Sequence, residues 1–321
     1  MREAILEGIR PIIDGLQHVE IDRERVGAFC RRHPAVNIDL PDWRQDFIYP
    51  WDDEGAADFF LLFNCINFAF WAKGDNVKWR IAYKGRWHDG AYGLMGALTR
   101  ALEEGLPILD GAFLREMTEK QLREILRGEG DLVLLPERVG ILREVGAGLA
   151  ERYEGSFRSL LREARGSAAA LAALLVDRFP SFNDTCSTGG REVRFYKRAQ
   201  LAPAMIYQRF RGAGPGAFCD IDDLTVFADY KLPQALRRAG ILRYGEALAG
   251  KVDSRTLIPP CSREEIEIRA CTIWACELIM GEYAGMKQTV NSVTLDSFLW
   301  LLSHERAVDD KPYHLTETIY Y

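Results

Sequence analysis

In FCDIDDLTVFADYKLPQAL, residues 218–236, three aspartates and a short apolar run lead to a Leu-Pro step. Asp220, Asp222 and Asp223 read as solvent-facing groups at the entry to a helix. Asp229 follows Thr225-Val226-Phe227-Ala228, precedes Tyr230, and falls in the joint between two apolar helical segments, the second opening near Pro233. A carboxylate at such a joint has two uses. It can accept backbone N–H bonds as a helix N-cap, or it can face whatever the two segments cradle.

Outward from this joint the chain reads as mainly α. Residues 1–33 give two short helices, the first interrupted by Pro11, and a Pro/Asp/Trp-rich loop runs from about 34 to 53. The apolar segment 56–71 reads as one buried core helix. NVKWRIAYKG, 76–85, alternates with period two and predicts one strand of a small hairpin. Thr118 with Gln121 forms a capping-box variant, and Ser262 with Glu265 opens a strongly apolar helix. The stretches 133–153 and 159–179 carry 3.6-residue spacing. Pro203 should kink or restart the helix that contains it. No repeat or long linker divides residues 1–321, which read as a single domain, two-lobed around a central pocket, with a minor β element.

The chain has 321 residues and a net charge of −6. That balance argues against a duplex-DNA binder, whose phosphate contacts call for a basic face. Seven cysteines without a C-x-x-C pair read as reduced, buried thiols of a cytosolic protein. The five histidines show no ligand spacing, so neither a metal nor a cofactor is expected. The longest apolar run, 59–71, is shorter than the ~20 residues a membrane span needs.

Besides Asp229, three places put polar groups where apolar ones are expected. Arg191, Arg194, Lys197, Arg198, Arg209 and Arg211 make a local basic reversal, either a solvated face or an anion pocket, with Phe195 and Tyr196 favouring partial burial of Lys197. Asn64, Asn67 and Trp71 fall at i, i+3 and i+7, with Phe68 beside them, a face suited to a flat heterocycle or to bonding neighbouring loops. Asp296 shares a helical face with Val293, Ser297 and Trp300, where an ionised group needs a partner; it fits an internal ion pair or a carboxylate that accepts N–H bonds from a base. No phosphate-loop, nucleophile-elbow or dinucleotide fingerprint occurs.

FYKRAQ (195–200), FADYKLPQ (227–234), NFAFW (67–71), YKG (83–85), ALTRALEEGLPI (97–108), ERVGILREVG (137–146) and the ending TETIYY (316–321) together resemble the queuosine salvage protein family. The resemblance runs from about residue 5 to 321, with Lys231 standing where the family commonly has arginine. It implies an N-glycosidase that frees queuine from queuosine 5′-monophosphate, in a helical fold similar to helix-hairpin-helix DNA glycosylases. The catalytic carboxylate would be Asp229, with Lys197 in the same pocket. Asn67, Phe68, Trp71, Phe227, Tyr230, Asp296 and Ser297 become candidate substrate contacts. The partner would be a single nucleotide, without a nucleic-acid polymer or membrane. The rival expectation is a non-catalytic helical module that binds a phosphorylated partner or RNA through 191–211.

Overall fold

The structure is a computed structural model that describes residues 1–51, 53–74, 76–305 and 310–321. Helices dominate, with three two-stranded antiparallel sheets among the described residues. The chain divides into two compact units. One comprises 1–41, 184–197 and 220–318; the other comprises 42–183, 198–219 and 319–321.

The first unit is built on the helix Arg263–Gly285. It is apolar on nearly every side, burying Ile266, Ile268, Cys271, Ile273, Cys276 and Ile279. The helices Arg2–Ile13, Arg23–Arg32, Lys231–Arg238 and Ser292–Leu302 pack on it. Pro11 lies inside the first of these without ending it. The strand Val19–Ile21 pairs antiparallel with Leu242–Tyr244, Val19 facing Tyr244. Buried Glu267 fixes the turn before that strand by accepting the N–H groups of Gln17, His18 and Val19.

The hairpin Thr185–Thr188 with Arg191–Arg194 turns on Gly189 and Gly190, both at positive φ. A two-residue loop of the type I′ form has positive φ at both positions, which glycine supplies without strain.

The second unit surrounds the helix Gly55–Cys65, every residue of which is buried. This helix is shorter than the expected core helix 56–71. Asn67 and Trp71 therefore lie beyond it and do not share a helical face with Asn64. The cause is a set of long-range clamps. The Arg198 guanidinium donates to the Asn64, Cys65 and Ser181 carbonyls, and Arg138 donates to those of Ile66, Phe68 and Ala69. Cations at a helix C-terminus meet its orphan carbonyls and the negative end of its dipole. The Tyr321 carbonyl takes the Ala69 N–H at 2.9 Å.

The expected hairpin forms between Arg80–Tyr83 and Arg86–Asp89, and the Thr118–Gln121 capping box is complete. The helix Leu135–Arg152 packs so closely on Gly111–Arg115 that a Cβ on Gly146 would sit 2.3 Å from the Arg115 nitrogen. The stretch 159–179 is two helices, Phe157–Glu163 and Ala168–Arg178, separated where Arg165 and Gly166 take positive φ. The helix Lys197–Phe210 runs through Pro203 without a restart.

One cysteine expectation is corrected. Cys186 and Cys261 form a disulfide with Cα atoms 5.3 Å apart, joining the hairpin to the segment before the helix Arg263–Gly285. That separation suits a bridge, and a sequence separation of 75 hides it. Cys30, Cys65, Cys271 and Cys276 are buried free thiols as expected, whereas Cys219 is free and exposed.

Candidate active site

The stretch 224–230 departs from its expected form. A 3-10 turn, Ile221–Asp223, replaces the first helical segment, and Leu224–Tyr230 runs buried and non-helical to the helix Lys231–Arg238. A buried loop must find partners for its backbone polar groups. Here side chains provide them: the Phe227 N–H donates to Asp296 Oδ1 at 2.8 Å, and Arg269 Nε donates to the Ala228 carbonyl at 3.1 Å.

Asp229 ends this loop. Its Oδ1 accepts the N–H groups of Lys231 at 2.7 Å and Leu232 at 3.0 Å, so it caps the helix, which begins two residues ahead of Pro233. Among the described residues Oδ2 accepts no hydrogen bond. The side chain is 8% exposed, a carboxylate fixed at one oxygen and open at the other.

Around it the first unit gathers Phe227, Tyr230, Lys197, Asp296 and Ser297, all buried or nearly so. Lys197 is the first residue of the helix Lys197–Phe210 and follows Tyr196, whose φ is +51°. Asp296 and Ser297 sit on the helix Ser292–Leu302, and the Tyr230 ring lies 4.8 Å from that of Tyr313.

Burial pushes the Asp296 carboxyl well above the usual carboxylate range. The Asp229 charge adds to this, while the Phe227 N–H bond and the Lys197 charge oppose it. His314, fully enclosed and near the Arg269 charge, is pushed down to about 3.

The Asp296 shift has a consequence for stability. The folded state holds the Asp296 proton to higher pH than the unfolded chain, which releases it near 3.8. Above that value the folded state binds the extra proton, so this group's contribution to stability declines as pH rises. Asp296→Asn keeps the acceptor for the Phe227 N–H and cannot ionise. Its melting temperature relative to wild type is expected to climb as pH is raised from about 4 to 8, read by calorimetry; a difference that stays flat or falls contradicts the assignment.

Asn67, Phe68 and Trp71 belong to the second unit. The Asn67 amide donates to Asn64 Oδ1 at 3.3 Å, and the Phe68 ring carries the Arg138 guanidinium at 4.0 Å. The basic cluster disperses. Arg198 and Arg209 are buried on main-chain carbonyls, Arg209 on those of Trp43, Tyr49 and Trp51. Arg194 is exposed and pairs with Glu192.

Among the described residues, Cys186, Cys261 and Glu265 bring ligand atoms within 4.8 Å of one another. The two sulfurs are bonded to each other, which removes the thiolates a metal would need. Sequence reasoning passed over Asp184 and Arg269. A lone arginine inside the apolar run IEIRACTI, 266–273, is a signal that could have found the second; Asp184 carries none.

Two carboxyl groups and a lysine, nearly closed off from water, thus gather in the first unit. The chain belongs to the queuosine salvage protein family, whose model matches residues 48–321. It is 39% identical over 320 residues to a protein of Sphaerobacter thermophilus, covering 100% of this chain and 98% of that one. It is 37% identical over 281 residues to a protein of Bos taurus, covering 84% and 82%. A Schizosaccharomyces pombe protein is 34% identical over 286 residues, again 84% and 82%. All three are named queuosine 5′-phosphate N-glycosylase/hydrolase. No helix among the described residues is long and apolar enough to cross a membrane.

Proposed function

We propose that this chain hydrolyses the N-glycosidic bond of queuosine 5′-phosphate, releasing queuine and ribose 5-phosphate, with Asp229 as the catalytic carboxylate. The observation that carries the reading is the Asp229 side chain, held at Oδ1 by two backbone N–H groups and accepting no hydrogen bond at Oδ2 among the described residues. Support for the substrate comes from the names of relatives that this chain matches along most of their length.

The chemistry follows from the bond. As the glycosidic C–N bond breaks, its electron pair leaves with the base and the anomeric carbon turns positive. A fixed anion beneath that carbon stabilises the cation and draws a proton from the incoming water. Queuine is a 7-deazaguanine and lacks the N7 through which purines are commonly protonated, so the departing base must be stabilised at its other edges. Asp296 is suited to this. With one ammonium and two carboxylates buried together, a single proton on the pair leaves no net charge. Burial favours the neutral form of Asp296 and so leaves the proton there. Asp296 then holds Phe227 through one oxygen and offers a hydrogen bond from the other. Phe227 and Tyr230 supply ring surface for the base, and Ser297 supplies a hydroxyl beside Asp296.

The substrate-binding roles of Asn67 and Trp71 rest on the amide and indole chemistry of the NFAFW segment. Phe68, already stacked on Arg138, would act by holding that segment. Residues 1–321 would act as one queuosine-salvage domain, with a backbone similar to helix-hairpin-helix DNA glycosylases; the helical content and end-to-end match to the bacterial relative support this.

Incubation of the purified protein with queuosine 5′-monophosphate is expected to yield free queuine by mass spectrometry, with no release from a queuosine-containing oligonucleotide at low salt. Release from the oligonucleotide alone would overturn the single-nucleotide reading. Release from neither would favour a binding module acting through 191–211, a reading weakened by the inward use of Arg198 and Arg209.

A further inference from the structure

One buried ion pair reaches the backbone at both Asp229 and Lys197. Arg269 and Asp184 are 1% and 2% exposed and meet end to end, Nη1 to Oδ1 at 2.8 Å and Nη2 to Oδ2 at 2.5 Å. Each partner then reaches one catalytic segment. The remaining guanidinium nitrogen, Nε, donates to the carbonyl of Ala228, the residue before Asp229. On the other side, Asp184 Oδ2 also accepts the N–H of Lys197 at 3.0 Å, while the Asp184 carbonyl accepts those of Phe195 and Tyr196.

That second set of bonds encloses a backbone oddity. Tyr196, immediately before Lys197, sits in the left-handed region at φ +51°. A non-glycine residue persists there when its surroundings over-determine it, and here Asp184 accepts from three successive N–H groups across the turn. The guanidinium carbon also lies over the Phe195 ring, 4.0 Å from its centroid, and Glu265 approaches its Nη1 at 3.5 Å. The fork therefore has a defined position and plane.

We propose that the Asp184–Arg269 pair sets Asp229 and Lys197 relative to one another, so that both of its members are positioning residues for glycosidic cleavage. The proposal rests on the catalytic reading of Asp229 and Lys197. Stability alone is a poor reason to keep such a pair, because well-packed apolar side chains often replace buried ion pairs without loss. What an apolar pair cannot do is donate to the Ala228 carbonyl and accept the Lys197 N–H at once. The pair does both, Arg269 donating through Nε while its other two nitrogens hold the Asp184 carboxylate that accepts from Lys197; an ammonium lacks the planar fork this needs.

The test is a mutant cycle on queuine release from queuosine 5′-monophosphate, with Arg269→Lys and Asp184→Asn each measured alone and combined with Asp229→Asn. A displacement of the reacting groups by about 1 Å costs on the order of 100-fold in rate, so each single variant is expected to lose about that much in kcat, with KM changed less than about threefold. In the Asp229→Asn background the further loss is expected to be below about threefold, because the residue through which the pair acts is already disabled.

A kcat near wild type in a folded single variant, or the full loss repeated in the Asp229→Asn background, overturns the proposal while leaving the proposed function standing. If Arg269→Lys does not fold, Asp184→Asn decides; if neither folds, the pair is structural and the proposal falls. Near-normal turnover by Asp229→Asn itself marks failure of the catalytic reading, and the positioning role falls with it.

Discussion

Asp229→Asn is expected to slow queuine release by about 10³-fold while the protein stays folded. The asparagine carbonyl oxygen can take over the bonds that Oδ1 accepts from Lys231 and Leu232, and asparagine serves as an N-cap about as well as aspartate. What disappears is the negative charge and the ability to take a proton from water. An interaction made chiefly in the transition state lowers kcat and kcat/KM together, so KM should move little. Single-turnover release measured beside a melting curve separates the two contributions. A variant that folds normally and turns over within about tenfold of wild type would reduce Asp229 to a helix cap.

Lys197→Met should cost about 10²-fold in kcat/KM, and sodium borohydride should trap no covalent adduct on the wild-type protein during turnover. Two roles compete for this side chain. A neutral amine could open the sugar as a Schiff-base nucleophile; an ammonium could hold the carboxylates and offset charge on the substrate. Placement at a helix N-terminus works against the cation by roughly 0.3–1 kcal/mol. An opposite charge within a few ångströms, at an effective dielectric near 20, favours it by several kcal/mol, and the Lys197 and Asp229 charges both act on Asp296. The Asp229 charge outweighs the helix terminus, which leaves water as the nucleophile. An adduct trapped at Lys197 would reverse this assignment.

What the sequence disclosed was local. The Thr118–Gln121 box and the hairpin at 80–89 depend on residues a few positions apart. The capping use of Asp229 depends on the residues two and three positions further on. Where the expectation failed, the cause was distant. The core helix ends at Cys65 because Arg138 and Arg198, 72 and 133 residues away, take the carbonyls at its C-terminus. A periodic apolar pattern cannot register that competition.

The strand pair formed by residues 19–21 and 242–244 and the Cys186–Cys261 bridge are hidden in the same way. Within the site, Asp229, Lys197 and Asp296 stood out as polar groups in apolar surroundings, and the family resemblance assigned the first two their roles. Asp184 did not stand out, because a lone aspartate in SFNDTC looks like any turn residue until Arg269 is seen against it.

The most direct measurement is a crystal structure of the Asp229→Asn variant with intact queuosine 5′-monophosphate bound. The account expects the carboxamide at position 229 to lie beneath the ribose, its outer atom within about 3–3.5 Å of the anomeric carbon or of a water poised on it. A bound nucleotide whose ribose lies far from that side chain, with residue 229 turned to bulk solvent, would contradict it.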